Sequence, residues 1–322
     1  MLAVNILIAV ALAIAIILFF VGYIVFRRIC VRRRNRPDGF DGLFSEKRLK
    51  MATEERLRRD YDWFDEHRTR DICVSSIDGL RLFATVIEAS QNSDPKGVVL
   101  LFHGYRSNAR RDFCMHARIL HEAGYHIILA DQRSHSRSEG KYICYGIKER
   151  YDVITWREKA AELFGNDMPI AFMGLSMGGA TVLMASELVK KEDAAVRCVI
   201  ADCPFSSPKG IILHVMKYHN KLPFAPLLLD FAGFWTRTLA DFTLSAPSSA
   251  ELYERSHLPA LLIHGDGDDY VPIGHSKEIV DLPRENARLV TVHNATHANA
   301  IYYNEEKYTS ELLSFLGEKM KR

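Results

Sequence analysis

From residue 71 onward the chain alternates between short apolar runs and longer stretches in which apolar and polar residues mix. The runs GVVLLFHG (97–104), YHIILAD (125–131), PIAFMG (169–174), RCVIADC (197–203), PALLIHGD (259–266) and ARLVTVH (287–293) are almost continuously apolar. Strands buried on both faces read this way, because neither face can carry polar side chains. Helical stretches such as 147–164 and 177–191 separate them. Strand and helix in alternation predict a mostly parallel sheet with helices on both faces. Upstream, ICVSSIDGLRLFATVIEA (72–89) places a D-G turn between two extended runs and predicts an antiparallel hairpin. Eight strands result. Residues 204–250 break the alternation between the sixth and seventh strands. Their apolar content, with Phe205, Leu222, Phe224, Leu227, Phe231, Phe234 and Trp235, predicts a helical cap over an apolar cavity.

The N-terminus has a different pattern. Residues 6–26 carry no charge and no proline, enough for a helix to cross a hydrocarbon core of about 30 Å. MLAVN holds no basic side chain and the run ends in RRICVRRRNR, so an uncleaved anchor is expected in preference to a signal peptide. The layout is then an anchor over 1–26, a basic juxtamembrane segment with a charged helix over 27–68, and the strand-and-helix domain over 69–322. Arg27, Arg28, Arg32, Arg33, Arg34 and Arg36 follow the span, and no acid precedes Asp38. Basic residues beside a span stay in the cytoplasm, so the domain that follows is expected there, with anionic headgroups as the partner of the block.

Composition fits one large domain: 322 residues, 48% hydrophobic and 25% charged. The net charge is +2, so removing the six arginines leaves the rest at −4, which argues against nucleic acid as a partner. Cysteines 30, 73, 114, 144, 198 and 203 show no C-x-x-C and no metal spacing; buried free thiols in a reducing compartment are expected. No phosphate loop, metal cluster or dinucleotide glycine pattern is present, and neither cofactor nor metal is expected.

In parallel sheets, sites form beyond the carboxyl ends of the strands. Four such loops carry chemistry: FHGYRSN, MGLSMGG, HGDGDDYVP and NATHANA. A G-x-S-x-G alone is weak. Here an apolar strand precedes it and a helical run follows, so Ser176 sits where a sharp strand-to-helix turn exposes a nucleophile. The Met177 N–H, directly after it, points at the charge that develops in an attack. Serine needs a base, and His297, in a small-residue loop after the last strand, is the candidate. His293 is expected to pack at the strand end. The base needs a carboxylate, and the residues alone do not choose among Asp266, Asp268 and Asp269.

The order nucleophile, acid, histidine resembles the α/β-hydrolase superfamily, over residues 71 to about 318. Members commonly carry H-G-x-x-D-x-x-V-P after the seventh strand. Aligned here as His264, Gly265, Asp268, Val271 and Pro272, this implies Asp268 as the acid, with Asp269 as runner-up. The superfamily's H-G loop implies the Tyr105 N–H as second oxyanion donor. DQRSHSRSEG (131–140) is similar to a family stretch of structural role, except that Ser134 and Ser136 stand where glycines are usual. The whole is similar to bacterial single-span members of the esterase-like and prolyl-oligopeptidase-like groups. The function implied is hydrolysis of carboxylic esters of apolar, modest-sized small molecules through an acyl-enzyme. An acyl- or aminopeptidase, or a non-catalytic binding protein on the same fold, are the alternatives.

Overall fold

The computed structural model describes residues 1–32, 47–90, 94–283 and 286–321, with the side chains of 47–54 excepted. Arg33, Arg34, Arg36 and the turn-rich 36–42 lie outside the described residues.

The strands are β1 (Arg70–Ser75), β2 (Arg81–Ile87), β3 (Val98–Phe102), β4 (His126–Ala130), β5 (Ile170–Leu175), β6 (Val196–Asp202), β7 (Ala260–Gly265) and β8 (Ala287–Val292). They form one sheet in the order β1-β2-β4-β3-β5-β6-β7-β8. β1 with β2, and β2 with β4, are antiparallel; every other pair is parallel. The expected hairpin and parallel sheet are therefore present. In β3, Leu100 and Phe102 face one layer and Val99 and Leu101 the other, since side chains alternate along a strand.

Each face has its own helices. On one side α2 (Lys47–His67), α3 (Ala109–Glu122), α10 (Ala300–Tyr303) and α11 (Glu305–Lys319) bury Leu57, Phe64, Phe113, Ile301, Tyr308 and Leu312. On the other, α4 (Glu149–Phe164), α5 (Met177–Ala185), α8 (Ser249–Glu254) and α9 (Gly274–Val280) bury Trp156, Val182, Tyr253 and Ile279. Asn108 caps α3 by accepting from the Arg111 amide, and Ser248 and Glu251 form a capping box on α8.

The cap consists of α6 (Pro208–His214), a π-helical turn (Val215–His219) and α7 (Ala225–Ala240). Its apolar residues divide in a way the sequence did not indicate. Phe205 and Leu222 line the cavity, but Phe224, Leu227 and Phe234 are exposed, and Phe231 and Trp235 pack on the N-terminal helix α1 (Leu2–Cys30). α1 is long and apolar enough to cross a membrane, by length and composition. Leu2–Ile17 are exposed on every side, whereas Gly22, Val25, Phe26 and Cys30 are buried against the domain. All six cysteines are free; five are buried and Cys73 is exposed.

Candidate active site

β5 runs straight into α5, and Ser176 is the residue between them, at φ 55°, ψ −113°. A non-glycine residue holds such angles only when its surroundings impose them. The turn is tight because of its glycines. A Cβ on Gly174 would lie 2.1 Å from the Gly178 oxygen, and one on Gly178 would lie 1.8 Å from the Phe102 oxygen. Both positions, two before and two after the serine, therefore exclude any side chain. The Ser176 amide donates to the Asp202 oxygen at 2.8 Å, which ties the turn to β6.

The loop after β8 brings His297 to this turn. His297 Nε2 lies 2.9 Å from Ser176 Oγ, and Nδ1 lies 2.7 Å from Asp268 Oδ2. The tautomer with the proton on Nδ1 satisfies both bonds: Nδ1–H donates to the carboxylate and Nε2 accepts from the hydroxyl. Asp268 is buried in the loop after β7, where Oδ1 accepts from the amides of Tyr270 (3.0 Å) and Val271 (2.8 Å). His264 Nε2 is 3.3 Å from Oδ2. Burial alone would raise this carboxyl. The hydrogen bonds from His264, His297 and Val271, with the charge of His297, outweigh it and hold Asp268 well below the usual carboxylate range.

The neighbouring acids do other work. Asp266 accepts from exposed His293 and from the Asn294 amide. His293 was expected to pack; it points to solvent instead, because it falls on the outward side of the strand end. Asp269 faces outward, and its carbonyl oxygen lies within hydrogen-bond distance of His214 and His219.

Met177 opens α5 directly after the serine and Tyr105 lines the same cavity, and neither backbone N–H has a partner among the described residues. The Tyr105 loop is held from behind. Gly104 N–H donates to Asp112 Oδ2 at 2.8 Å, and Arg106 N–H donates to His135 Nε2 at 3.0 Å. Burial, ahead of any charge effect, pushes His135 down to about 3, so it remains a neutral acceptor. His103 holds the Gln132 amide through Nε2 (3.1 Å). Asp131 pairs with Arg137. These contacts brace the loops around the serine. The role of Asp112 had no motif to announce it; only its place one turn into α3, facing the preceding loop, carries the signal.

Ser176 and His297 line a cavity of about 670 Å³. Its apolar wall comes from Phe205, Ile211, Ile212, Met216 and Leu222 of the cap and from Val25 and Ile29 of α1. The last two are contributions that sequence reasoning missed. Two other clefts, of about 580 and 680 Å³, do not reach Ser176, although the larger shares Arg106, Ser107 and Arg111 with its cavity. Cys203, Asp268 and His297 are the only group with metal-ligand spacing among the described residues. Burial first, then the neighbouring carboxylates, raises the Cys203 thiol well above its ordinary value, so without a metal it stays protonated.

The family model described as "Serine aminopeptidase, S33" matches residues 93–228. The uncharacterized protein YqkD of Bacillus subtilis (strain 168) is 25% identical over 227 residues, 69% of this chain and 72% of that one. The monoacylglycerol lipase of Mycolicibacterium smegmatis is 25% identical over 229 residues, 59% of this chain and 76% of the lipase. A Pyrococcus furiosus esterase of known structure aligns with a TM-score of 0.64 at 23% identity, over 79% of this chain and 94% of that chain.

Proposed function

This chain is an α/β hydrolase in fold, and on that premise we propose that it is a membrane-anchored serine hydrolase that cleaves carboxylic esters of modest-sized, apolar substrates. The observation that carries the reading is the unbroken hydrogen-bonded line Ser176–His297–Asp268 on the floor of an apolar-walled cavity. Ser176 Oγ attacks the ester carbonyl carbon and its proton passes to His297 Nε2. The oxyanion accepts from the Tyr105 and Met177 N–H groups. Asp268 stabilises the imidazolium, which returns the proton to the departing alcohol. Water then attacks the acyl-enzyme, with His297 as base, and the carboxylic acid leaves. The catalytic domain faces the cytoplasm, with α1 as its anchor and the arginines after it at the headgroups.

The match to the serine aminopeptidase family favours a second reading, cleavage of an amide beside a free amine. A free carboxylate is the strongest partner a site can offer an ammonium group. Among the described residues the cavity lining holds Arg28, Arg106 and Arg111 and one acid, Asp112, whose two oxygens already accept from Gly104 N–H and Ser107 Oγ. The lining therefore supports esters over N-terminal amines.

A fluorophosphonate probe tests the proposal. Covalent labelling of the full-length protein, lost in Ser176→Ala, is the expected result. Absence of labelling on folded protein overturns it. A panel of matched esters and aminoacyl amides separates the two enzyme readings.

A further inference from the structure

Leu2–Ile17 is the part of α1 that no protein atom covers, and at about 1.5 Å per residue it spans about 24 Å. A hydrocarbon core needs about 30 Å. The core must end before the charges of Arg27 and Arg28, and about 20 residues counted back from them take in Phe19–Tyr23 as well. At that level α1 is already packed on the cap. Gly22 allows the two helices to close: a Cβ there would lie 2.5 Å from Phe231 Cβ. The Phe19 ring sits 4.6 Å from Trp235 and 5.4 Å from Phe234, and the Trp235 indole N–H donates to the Phe19 oxygen at 3.2 Å. Tyr23 lies against Trp235, and Phe20, Ile24 and Phe234 are exposed beside them. Aromatic side chains with one polar tip belong at this depth of a membrane.

The cavity begins about one helical turn beyond, where Val25, Arg28 and Ile29 form its wall. This wall is fixed. The last carbonyls of a helix lack partners within it, and here the domain supplies them. Tyr105 and Tyr145 hydroxyls donate to the Ile29 oxygen, Arg106 donates to the Arg28 oxygen, and the Ile143 amide donates to the Cys30 oxygen. The substrate cavity is thus lined jointly by the anchor and the cap, next to the membrane boundary.

We propose that the substrate is a single-chain amphiphilic ester resident in the bilayer, which slides along α1 into the cavity without crossing bulk water. Val25, Ile29 and the cap residues Ile212 and Met216 receive its chain, and Arg28 and Arg111 meet its polar end. The volume suits one such molecule. The inference rests on the readings of α1 as an anchor and Ser176 as a nucleophile.

The test uses the full-length protein in phosphatidylcholine vesicles and 4-methylumbelliferyl oleate, a fluorogenic ester that leaves a bilayer slowly. The ester is placed either in the protein-bearing vesicles or in protein-free vesicles mixed with them. Initial hydrolysis at least about tenfold faster in the first arrangement is expected, because long apolar chains exchange slowly through water. Water-soluble 4-methylumbelliferyl acetate gives equal rates in both. Equal oleate rates overturn the inference. Flotation with the vesicles and fluorophosphonate labelling are read on the same sample. Protein that labels but does not float overturns the anchor, and the inference with it; protein that floats but does not label overturns the hydrolase reading.

Discussion

The hydroxyl of Tyr105 donates to the carbonyl oxygen of Ile29 at 2.7 Å, so the residue proposed to supply an oxyanion N–H is tied by its side chain to the last turn of the N-terminal helix. Tyr145 reaches the same oxygen at 3.0 Å, and the two rings stack at 5.3 Å. Burial pushes Tyr105 up to about 12, so its hydroxyl remains a donor at neutral pH.

The double substitution Tyr105→Phe, Tyr145→Phe keeps both rings and removes both bonds. With each bond contributing about 1 kcal/mol, kcat is expected to fall by up to about thirtyfold, with KM within about twofold. Unchanged kcat would show that the loop holds its place without α1.

Asp268 and Asp269 are adjacent in sequence but not in environment. Asp268→Asn removes the acceptor that fixes the His297 tautomer, and kcat is expected to fall by about 10³-fold or more. Asp269→Asn, at an exposed side chain, should alter kcat by less than about twofold. Equal losses in the two variants would remove Asp268 from its proposed role.

The sheet was legible because β3, β4, β5 and β7 are buried on both faces, and only an almost unbroken apolar run survives there. The positions of Ser176, Asp268 and His297 were legible because each lies just past a strand, where chain order limits the choices. The choice among three acids was not legible from the residues themselves. It depends on which carboxylate the 268–271 turn points inward, and hydrogen bonds to the Tyr270 and Val271 amides decide that. The docking of α1 on α7 was hidden for a different reason. An apolar helix reads the same whether lipid or protein covers it, so nothing in residues 18–26 separated the buried Gly22 and Val25 from the exposed Phe20 and Ile24. The exposed Phe224 and Leu227 were misread toward the cavity for the same reason.

Ser134 and Ser136 adopt φ of 65° and 41°, in the left-handed region where glycine carries no penalty. Ser134 is compensated, since its Oγ donates to the Tyr142 oxygen at 2.7 Å. Ser136 is exposed, with no side-chain bond among the described residues. Ser136→Gly is expected to stabilise the protein by about 0.5–1 kcal/mol, relief of strain exceeding the entropy glycine adds to the unfolded chain. Ser134→Gly should be close to neutral. Thermal melts of the two variants check the order; a lower midpoint for Ser136→Gly would contradict it.

Asp202 ends β6 directly behind the nucleophile turn, fully buried. Its Oδ2 accepts from Tyr308 Oη at 2.8 Å, and Oδ1 has no hydrogen-bond partner among the described residues. Tyr308 in turn lies 3.1 Å from His116 Nε2, and burial lowers His116 to about 3, so that ring brings no charge to the cluster. Burial raises Asp202 from 3.8 to about 6, against the lowering effects of Tyr308, His264 and His297. A carboxyl with a raised folded-state pKa contributes stability that is complete below the unfolded value, near pH 4, and is lost as pH rises through about 6. Two units correspond to roughly 3 kcal/mol. Asp202→Asn removes the charge without changing the shape. The variant should match the wild type near pH 4 and exceed it at pH 8 by up to about 3 kcal/mol, read from denaturant midpoints of the detergent-solubilised protein. A difference that stays constant from pH 4 to 8 would mean that the Asp202 charge carries no cost in the folded protein.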